Sequence, residues 1–465
     1  RPRIVLVVLD TLRPDHLGFL GYSHETAPFL AGLARRSVVF THAFSTSSWT
    51  APATASLYTS RYPTRHHVTE GFVANQGRQA ASGASVILNR LPVTAPVLPE
   101  LLSQAGYQTL GLSANINIGP EIGFDRGFDR LERLVSPAAP SQKVDAEALA
   151  SRLDQLAAEA QWRSLRPGTD LPEAEHASRA APLFLYLHLM DPHKPLRRRE
   201  PWYQASPDAR QDLASAYDSE ISFVDRTLAR LSREMHWDRD TLLIVISDHG
   251  EELLDRGRHG HGHTLRPEVT RILMMISAPC LGIDPGVIDD TVSLVDVAPT
   301  ILQLIGEPPP DRSDGRSLVP ELLPPPPGTT PGPGRTQQPA RDLLLHVARL
   351  DLVPSIELWG VIRGRWKLTF SPTSAAARRS RAAPVTGPVH AERTELYDLL
   401  ADPRETNDRH LDQPKLVAQL LLALRSFQSE ASEEPGEPIR ISLDDALMQQ
   451  LRALGYAEPR GDDGH

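Results

Sequence analysis

A chain of 465 residues with 40% hydrophobic and 23% charged residues exceeds what one hydrophobic core usually fills, so one large domain with a smaller companion is expected. A formal charge of -9 spread along dispersed Lys and Arg excludes a nucleic-acid footprint, and no uninterrupted apolar stretch is long enough to span a bilayer. The single cysteine, Cys280, excludes an internal disulfide; following the apolar run Ile272 to Ala278, it is expected to be a buried, inert thiol.

The chain opens at Arg1 rather than methionine, so a signal peptide or membrane anchor could precede it. A periplasmic, extracellular or membrane-anchored protein with a soluble domain is therefore expected. Ile4 to Leu9 is a continuous aliphatic run, the pattern of a strand buried on both faces of a parallel sheet, and it delivers Asp10 at its C-terminal end. Ligands bind at that edge of open α/β sheets. In the segment Ser48 to Leu57, Pro52 in the first turn of a helix would place Thr50 at or just before the helix N-terminus. Exposed N–H groups and the helix dipole there favour an anion, although in isolation Thr50 reads first as a simple N-cap.

Thr94 is expected to cap a helix through Leu98, Leu101 and Leu102 that stops at Gly106, before a strand from Gln108 to Leu112 and then Asn115. A second apolar run, Leu183 to Leu187, leads to His188, Asp191 and His193, and a third, Leu242 to Ile246, leads to Asp248 and His249. His188 could face the pocket or the sheet. Between these runs Leu213, Tyr217, Ile221, Val224, Leu228 and Leu231 form one apolar helical stripe. The dense basic spots, Arg197 to Arg199 and Arg378, Arg379 and Arg381, are expected in solvated loops. His259, His261 and His263 alternate with glycines, a spacing that fits either an active-site loop or a metal-binding tract.

Alternating strands and helices predict an α/β fold, a doubly wound mixed sheet flanked by helices, spanning 1–307. The segment 308–339 is rich in proline and glycine and is expected to be a surface connection. Residues 340–465 then form a smaller C-terminal α+β subdomain, with strands over Trp359 to Phe370 and Glu395 to Leu399. Helices near Pro414 to Phe427 and Leu443 to Leu454 close the chain.

Metal-assisted attack on a phosphate or sulfate ester needs carboxylates to hold a divalent cation, a nucleophile beside it, and polar or cationic groups on the anionic oxygens. Asp10 and the Asp248-His249 pair supply the first requirement, and Thr50 is the candidate nucleophile.

The ordered motifs make this chain resemble the sulfatase family of the alkaline phosphatase superfamily. Val8-Leu9-Asp10-Thr11 is similar to the opening metal motif. Thr50-Ala51-Pro52-Ala53-Thr54 lies where the family carries Cys or Ser, x-Pro-x-Arg, and Leu57-Tyr58-Thr59-Ser60-Arg61 follows it as Leu-x-Thr-Gly-Arg does. His188 to His193 resembles the histidine segment. Ser247 to Glu252 with Gly260 to Leu265 resembles the second metal motif and the anion-contact loop. Arg363 to Lys367 and Glu395 to Asn407 resemble the C-terminal subdomain.

The resemblance implies one divalent metal ion held by Asp10, Asp248, His249 and Thr50, with Thr50, His193 and His261 catalytic and Asn115, His188 and His263 contacting substrate. Thr11 replaces a common second aspartate, which with the imidazole of His249 tilts the metal towards zinc or manganese, calcium remaining open.

Sulfatases proper convert the signature Cys or Ser to formylglycine, which threonine cannot become, so no formylglycine is expected. A threonine hydroxyl can still attack phosphorus and form a phosphothreonine. Thr54 in place of the signature arginine removes a fixed positive charge. The implied function is hydrolysis of sulfate or phosphate esters of a small molecule, glycan or lipid. The alternatives are a phosphoethanolamine-type phosphotransferase and a member that binds anions without turnover.

Overall fold

The computed structural model describes residues 1–69, 85–134, 143–166, 181–238, 240–323, 341–349, 356–372, 392–429 and 439–442. Eight strands form the main sheet: β1 (Arg3–Leu9), β2 (Val38–Phe44), β3 (Gln108–Ser113), β4 (Arg130–Arg133), β5 (Leu183–Leu189), β6 (Thr241–Ser247), β7 (Met274–Ser277) and β8 (Gly286–Ser293). Their spatial order is β8-β2-β7-β6-β1-β5-β3-β4. β7 runs antiparallel to both neighbours, while the other pairings are parallel, so the sheet is mixed.

The aliphatic run of β1 lies inside the sheet between β5 and β6, and like them it buries both faces. Ile4 registers with Phe184 on one side and Leu242 on the other. Ile4, Leu6 and Val8 enter one core, and Val5, Val7 and Leu9 enter the other. The first core is covered by α2 (Thr50–Thr59), α3 (Leu98–Gln104) and α6 (Val297–Leu304); the second is covered by α1 (Pro28–Ala34), α4 (Ala146–Ala158) and α5 (Ala209–Glu234). Helices on both faces are the doubly wound arrangement. All ten residues of α2 are buried, and its alanines, Ala51, Ala53 and Ala55, let the helix lie close against the sheet.

The smaller unit is an antiparallel sheet, β9 (Asp342–Arg349), β10 (Ile356–Arg363), β11 (Trp366–Ser371) and β12 (Arg393–Asp398), paired in chain order. Period-2 alternation splits it: Leu343, Leu345 and Ile362 join the main core, whereas Leu344, Val361, Leu368 and Leu396 pack against α7 (Pro414–Ser429) through Leu420 and Leu424. Its backbone also reaches the loop before α2, where His346 N–H donates to Thr46 O at 2.8 Å. No helix among the described residues is long and apolar enough to cross a membrane.

Several local expectations are corrected. The N-cap of α3 is Val97, not Thr94; Glu100 reaches back to the Val97 N–H at 3.4 Å, so a side chain inside the helix replaces the upstream hydroxyl. Cys280 is exposed, because the buried strand β7 ends at Ser277 and a proline-led turn, Pro279–Leu281, carries the chain outwards. Arg197 and Arg199 are held by charge rather than solvated freely: Arg197 Nη1 lies 2.8 Å from Asp145 Oδ2, and Arg199 Nε lies 2.8 Å from Glu220 Oε2. The Arg199 guanidinium also stacks 3.8 Å over the Phe223 ring. Arg198 alone is exposed, beside Asp212.

Within the proline-rich stretch, Pro308, Pro309, Asp311, Arg312 and Pro320 are exposed, while Leu318 and Leu322 are buried and Asp314 accepts from the Tyr62 N–H at 2.8 Å. The remainder to residue 339, the cluster Arg378, Arg379 and Arg381, and the helix expected over Leu443 to Leu454 lie outside the described residues.

Candidate active site and metal centre

The site forms where β1, β5 and β6 end at one edge of the sheet and α2 begins. Strand register sets this up, since Leu9 of β1 pairs with Ser247 of β6 and with Leu189 of β5. The residues that follow, Asp10 and Asp248, therefore emerge side by side, and both are fully buried.

Each carboxylate uses one oxygen for hydrogen bonds. Asp248 Oδ1 accepts from the N–H groups of Thr11 at 3.3 Å and His249 at 2.9 Å. Asp10 Oδ2 accepts from Asn115 Nδ2 at 2.6 Å, from His188 Nε2 at 3.0 Å and from Thr50 Oγ1 at 3.4 Å. The other two oxygens, Asp10 Oδ1 and Asp248 Oδ2, are buried without a hydrogen-bond partner among the described residues.

Those two oxygens converge on His249 Nε2, at 3.6 Å and 3.5 Å. The opposite ring nitrogen, Nδ1, lies 2.9 Å from the Gly250 carbonyl and must donate to it, which leaves Nε2 with its lone pair facing the carboxylates. Buried acceptors facing one another without a donor are unfavourable unless a cation lies between them. The donor set therefore fits one divalent metal ion, which Asp10, Asp248 and His249 would hold.

The carboxylates respond to this crowding in opposite directions. Burial opposes ionisation of Asp10, but the His188 hydrogen bond and the surrounding histidines outweigh it and hold the carboxyl well below its usual range. Burial and the charge of Asp10 push Asp248 well above it.

Thr50 is the first residue of α2, and its hydroxyl does not cap the helix. The cap position is Trp49, with no side-chain capping bond. Thr50 Oγ1 instead lies 3.3 Å from His249 Nε2 and 3.2 Å from Asn115 Nδ2. Thr11, by contrast, turns its hydroxyl back to the Asp10 carbonyl at 2.7 Å with φ at 60°, away from the two free oxygens. Thr54, where the family pattern has arginine, is buried inside α2 and its hydroxyl has no partner among the described residues.

Three histidine rings complete the pocket: the His261 ring centre is 4.6 Å from that of His249 and 4.9 Å from that of His193. His193 is buried, and burial pushes it down to about 3, partly opposed by the charge of Asp10, so the ring is neutral at physiological pH. Its Nδ1 faces the Lys194 carbonyl and donates to it, leaving Nε2 as an acceptor. His261 Nδ1 lies 3.2 Å from both oxygens of Glu251. His263 turns to Glu252 through Nε2 and to the His261 carbonyl through Nδ1, at 3.1 Å, and so braces the loop. The histidine-glycine run thus lines the candidate site and is tied to the loop before α2 by Gly262 N–H donating to Ser48 O at 2.9 Å.

Four neighbours were not singled out from the sequence. Asn117 donates from its backbone N–H to Asn115 Oδ1 at 2.8 Å and so fixes which end of that amide donates. Tyr186 contacts His188 at 2.8 Å. Glu251 lies inside a recognised motif, but its bond to His261 spans a loop. Lys194 approaches the same loop: a Cβ on Gly260 would come within 3.2 Å of Lys194 Nζ, and the Gly260 φ of 99° also favours glycine. The two alternating glycines were the available signal.

A family model described as Sulfatase matches residues 2–307. Among curated proteins, arylsulfatase A of Homo sapiens is 26% identical over 472 residues, covering 92% of this chain and 87% of that protein. N-acetylgalactosamine-6-sulfatase of Homo sapiens is 25% identical over 352 residues, covering 69% of this chain and 66% of that protein. Among solved structures, the phosphonate monoester hydrolase of Agrobacterium radiobacter superposes with a TM-score of 0.63 at 18% identity, covering 93% of this chain and 96% of that one.

Proposed function

This chain belongs to the sulfatase family, and we propose that it is a metal-dependent ester hydrolase in which the Thr50 hydroxyl is the nucleophile and phosphorus esters are favoured over sulfate esters. The observation that carries this reading is the position of Thr50 Oγ1, 3.3 Å from His249 Nε2 at the N-terminus of α2, beside the unpartnered oxygens of Asp10 and Asp248.

Asp10, Asp248, His249 and Thr50 would hold the ion. It would supply positive charge that lowers the hydroxyl pKa and offsets the negative charge of the ester. One imidazole among the ligands favours zinc or manganese over calcium. The first turn of α2 presents its N–H groups and positive dipole end to the anion. Asn115 orients Thr50 Oγ1 for attack, and the His193 ring, which packs against His261, would take the hydroxyl proton. As the bond from Thr50 Oγ1 to phosphorus forms, the bond to the ester oxygen breaks, and His261 protonates the departing alcohol. Water then attacks the phosphorus and gives a proton back to His261, while the Thr50 Oγ1–phosphorus bond breaks, the phosphoryl product leaves, and Thr50 regains its proton from His193.

Phosphorus is favoured because a sulfated threonine lacks the geminal hydroxyl through which a formylglycine hydrate expels sulfate. The likeness to a phosphonate monoester hydrolase and to N-acetylgalactosamine-6-sulfatase supports a small-molecule or glycan ester as the substrate.

The test is a panel of aryl sulfate, phosphate monoester, phosphodiester and phosphonate ester substrates, each with zinc, manganese or calcium. Wild type is expected to turn over at least one phosphorus ester, with a quenched reaction yielding a Thr50-phosphorylated peptide by mass spectrometry. Thr50→Ala should lose both. Turnover by Thr50→Ala near that of wild type overturns the nucleophile assignment.

A further inference from the structure

His188 sits close enough to the carboxylates to be mistaken for a ligand: it, Asp10 and Asp248 each offer an atom within 4.8 Å of the others. Proton accounting assigns it differently. His188 Nε2 lies 3.0 Å from Asp10 Oδ2, an acceptor, so Nε2 must carry the hydrogen. Nδ1 faces the Tyr186 hydroxyl at 2.8 Å, and with the ring hydrogen on Nε2 that hydroxyl is the donor to it. The reverse tautomer would set two lone pairs against each other. Tyr186 and His188 stand two residues apart on β5, hence on one face of the strand, and both are fully buried.

With Asn115 also donating to it at 2.6 Å, Asp10 Oδ2 is saturated by donors from β5 and from the loop after β3. The carboxylate therefore cannot rotate to exchange its oxygens without breaking buried hydrogen bonds. Oδ1, the oxygen without a partner, remains directed towards His249 Nε2 at 3.6 Å.

We infer that His188, locked in its tautomer by Tyr186, is a positioning residue that clamps Asp10 Oδ2 so that Oδ1 faces the cation, and that His188 is not itself a ligand. The inference rests on the metal-centre reading of Asp10, Asp248 and His249. Partners behind metal ligands typically change affinity by about 10- to 100-fold when removed.

The experiment is isothermal titration of the metal-free full chain with Mn2+ and Zn2+, plus the visible absorption of the Co2+ form, for wild type, His188→Ala, His188→Gln, Tyr186→Phe and Asp248→Asn. Thermal unfolding of each metal-free variant checks the fold. His188→Ala is expected to bind about 10- to 100-fold more weakly. His188→Gln, which keeps an N–H donor near the Nε2 position, should recover most of that loss and leave the Co2+ bands in place. Tyr186→Phe should weaken binding roughly fivefold, the worth of one ordinary hydrogen bond.

Wild-type affinity in a folded His188→Ala, while Asp248→Asn loses binding, overturns the clamp but leaves the metal centre. Shifted Co2+ bands in His188→Gln with a loss as large as that of His188→Ala overturn it in favour of direct ligation. A wild-type chain that binds none of these ions overturns the metal centre and the clamp together.

Discussion

The Asn115 amide donates to Asp10 Oδ2 across 2.6 Å, and the same nitrogen lies 3.2 Å from the Thr50 hydroxyl. One side chain thus couples a metal-ligand candidate to the proposed nucleophile, with its own carbonyl pinned by the Asn117 N–H. Both amide hydrogens are engaged, so its effect on an anion passes through Thr50. Asn115→Ala is expected to reduce kcat roughly ten- to a hundredfold, as for loss of a hydrogen bond to a charged group. Asn115→Asp should be worse, because it sets a second carboxylate against Asp10. Steady-state kinetics on the best substrate of the panel checks this, and an aspartate variant more active than the alanine one would contradict it.

Lys143 and Glu220 form a fully buried ion pair at 3.1 Å, and Lys143 Nζ also donates to the carbonyls of Asp191 at 2.7 Å and His193 at 2.6 Å. The pair therefore ties α5 to the backbone of His193, a proposed catalytic residue. Lys143→Met leaves Glu220 buried with reduced compensation, and a loss of about 3–5 kcal/mol is expected. Combining it with Glu220→Gln should lose less than the sum of the two single changes, because the second removes the stranded charge. Urea denaturation of the four proteins measures the coupling; strict additivity would show that the two groups act independently.

Lys367 makes a comparable contact between the two sheets. Its Nζ donates to Leu265 O at 2.5 Å and to Glu405 Oε1 at 2.6 Å, all in the interior. Leu265 ends the loop that carries His261 and His263, so the smaller sheet braces that loop. Lys367→Met should lower thermal stability and raise KM more than Lys143→Met does, since the loop rather than the sheet edge is released. Equal effects on KM from both variants would remove that distinction.

Periodicity and strand ends made much of this legible. The run Ile4 to Leu9 could only be a doubly buried strand, which fixed where Asp10 emerges, and the same reasoning held for Asp248. What could not be read was pairing across distance. Nothing in Leu183 to His188 says that Tyr186 completes a hydrogen-bond chain to Asp10, because residue spacing gives a face but not a partner. Cys280 misled for a related reason: an apolar run predicts burial of the run, whereas the proline after Ala278 decides where the chain goes next. Arg199 looked like a solvated charge because Glu220 and Phe223, its partners, lie on a helix further along the chain.

Two buried histidines away from the metal centre give the chain a defined response to acid. His66 Nε2 lies 3.0 Å from Ser56 Oγ, and the His346 ring packs 3.9 Å from that of Trp359. Burial pushes His66 down to about 3, helped by nearby histidines, and burial alone pushes His346 down to about 3. Unfolded histidine titrates near ~6.5, so between there and about 3 the unfolded chain binds more protons than the folded one. The stability from a neutral buried ring is therefore complete above pH ~6.5 and is lost as pH falls through that window, by up to ~1.4 kcal/mol per pH unit for each ring. Two carboxyls act with the opposite sign: burial pushes Asp191 up to about 7 and Asp225 up to about 6, so their contribution declines as pH rises above the unfolded carboxylate value. The wild-type profile alone is thus not diagnostic, but the difference between wild type and His346→Phe is. Urea melts at pH 7.5, 6.0 and 5.0 should show wild type losing stability on acidification relative to the variant, by roughly 1 kcal/mol per pH unit below pH ~6. Parallel profiles would mean that His346 is not held neutral by the fold.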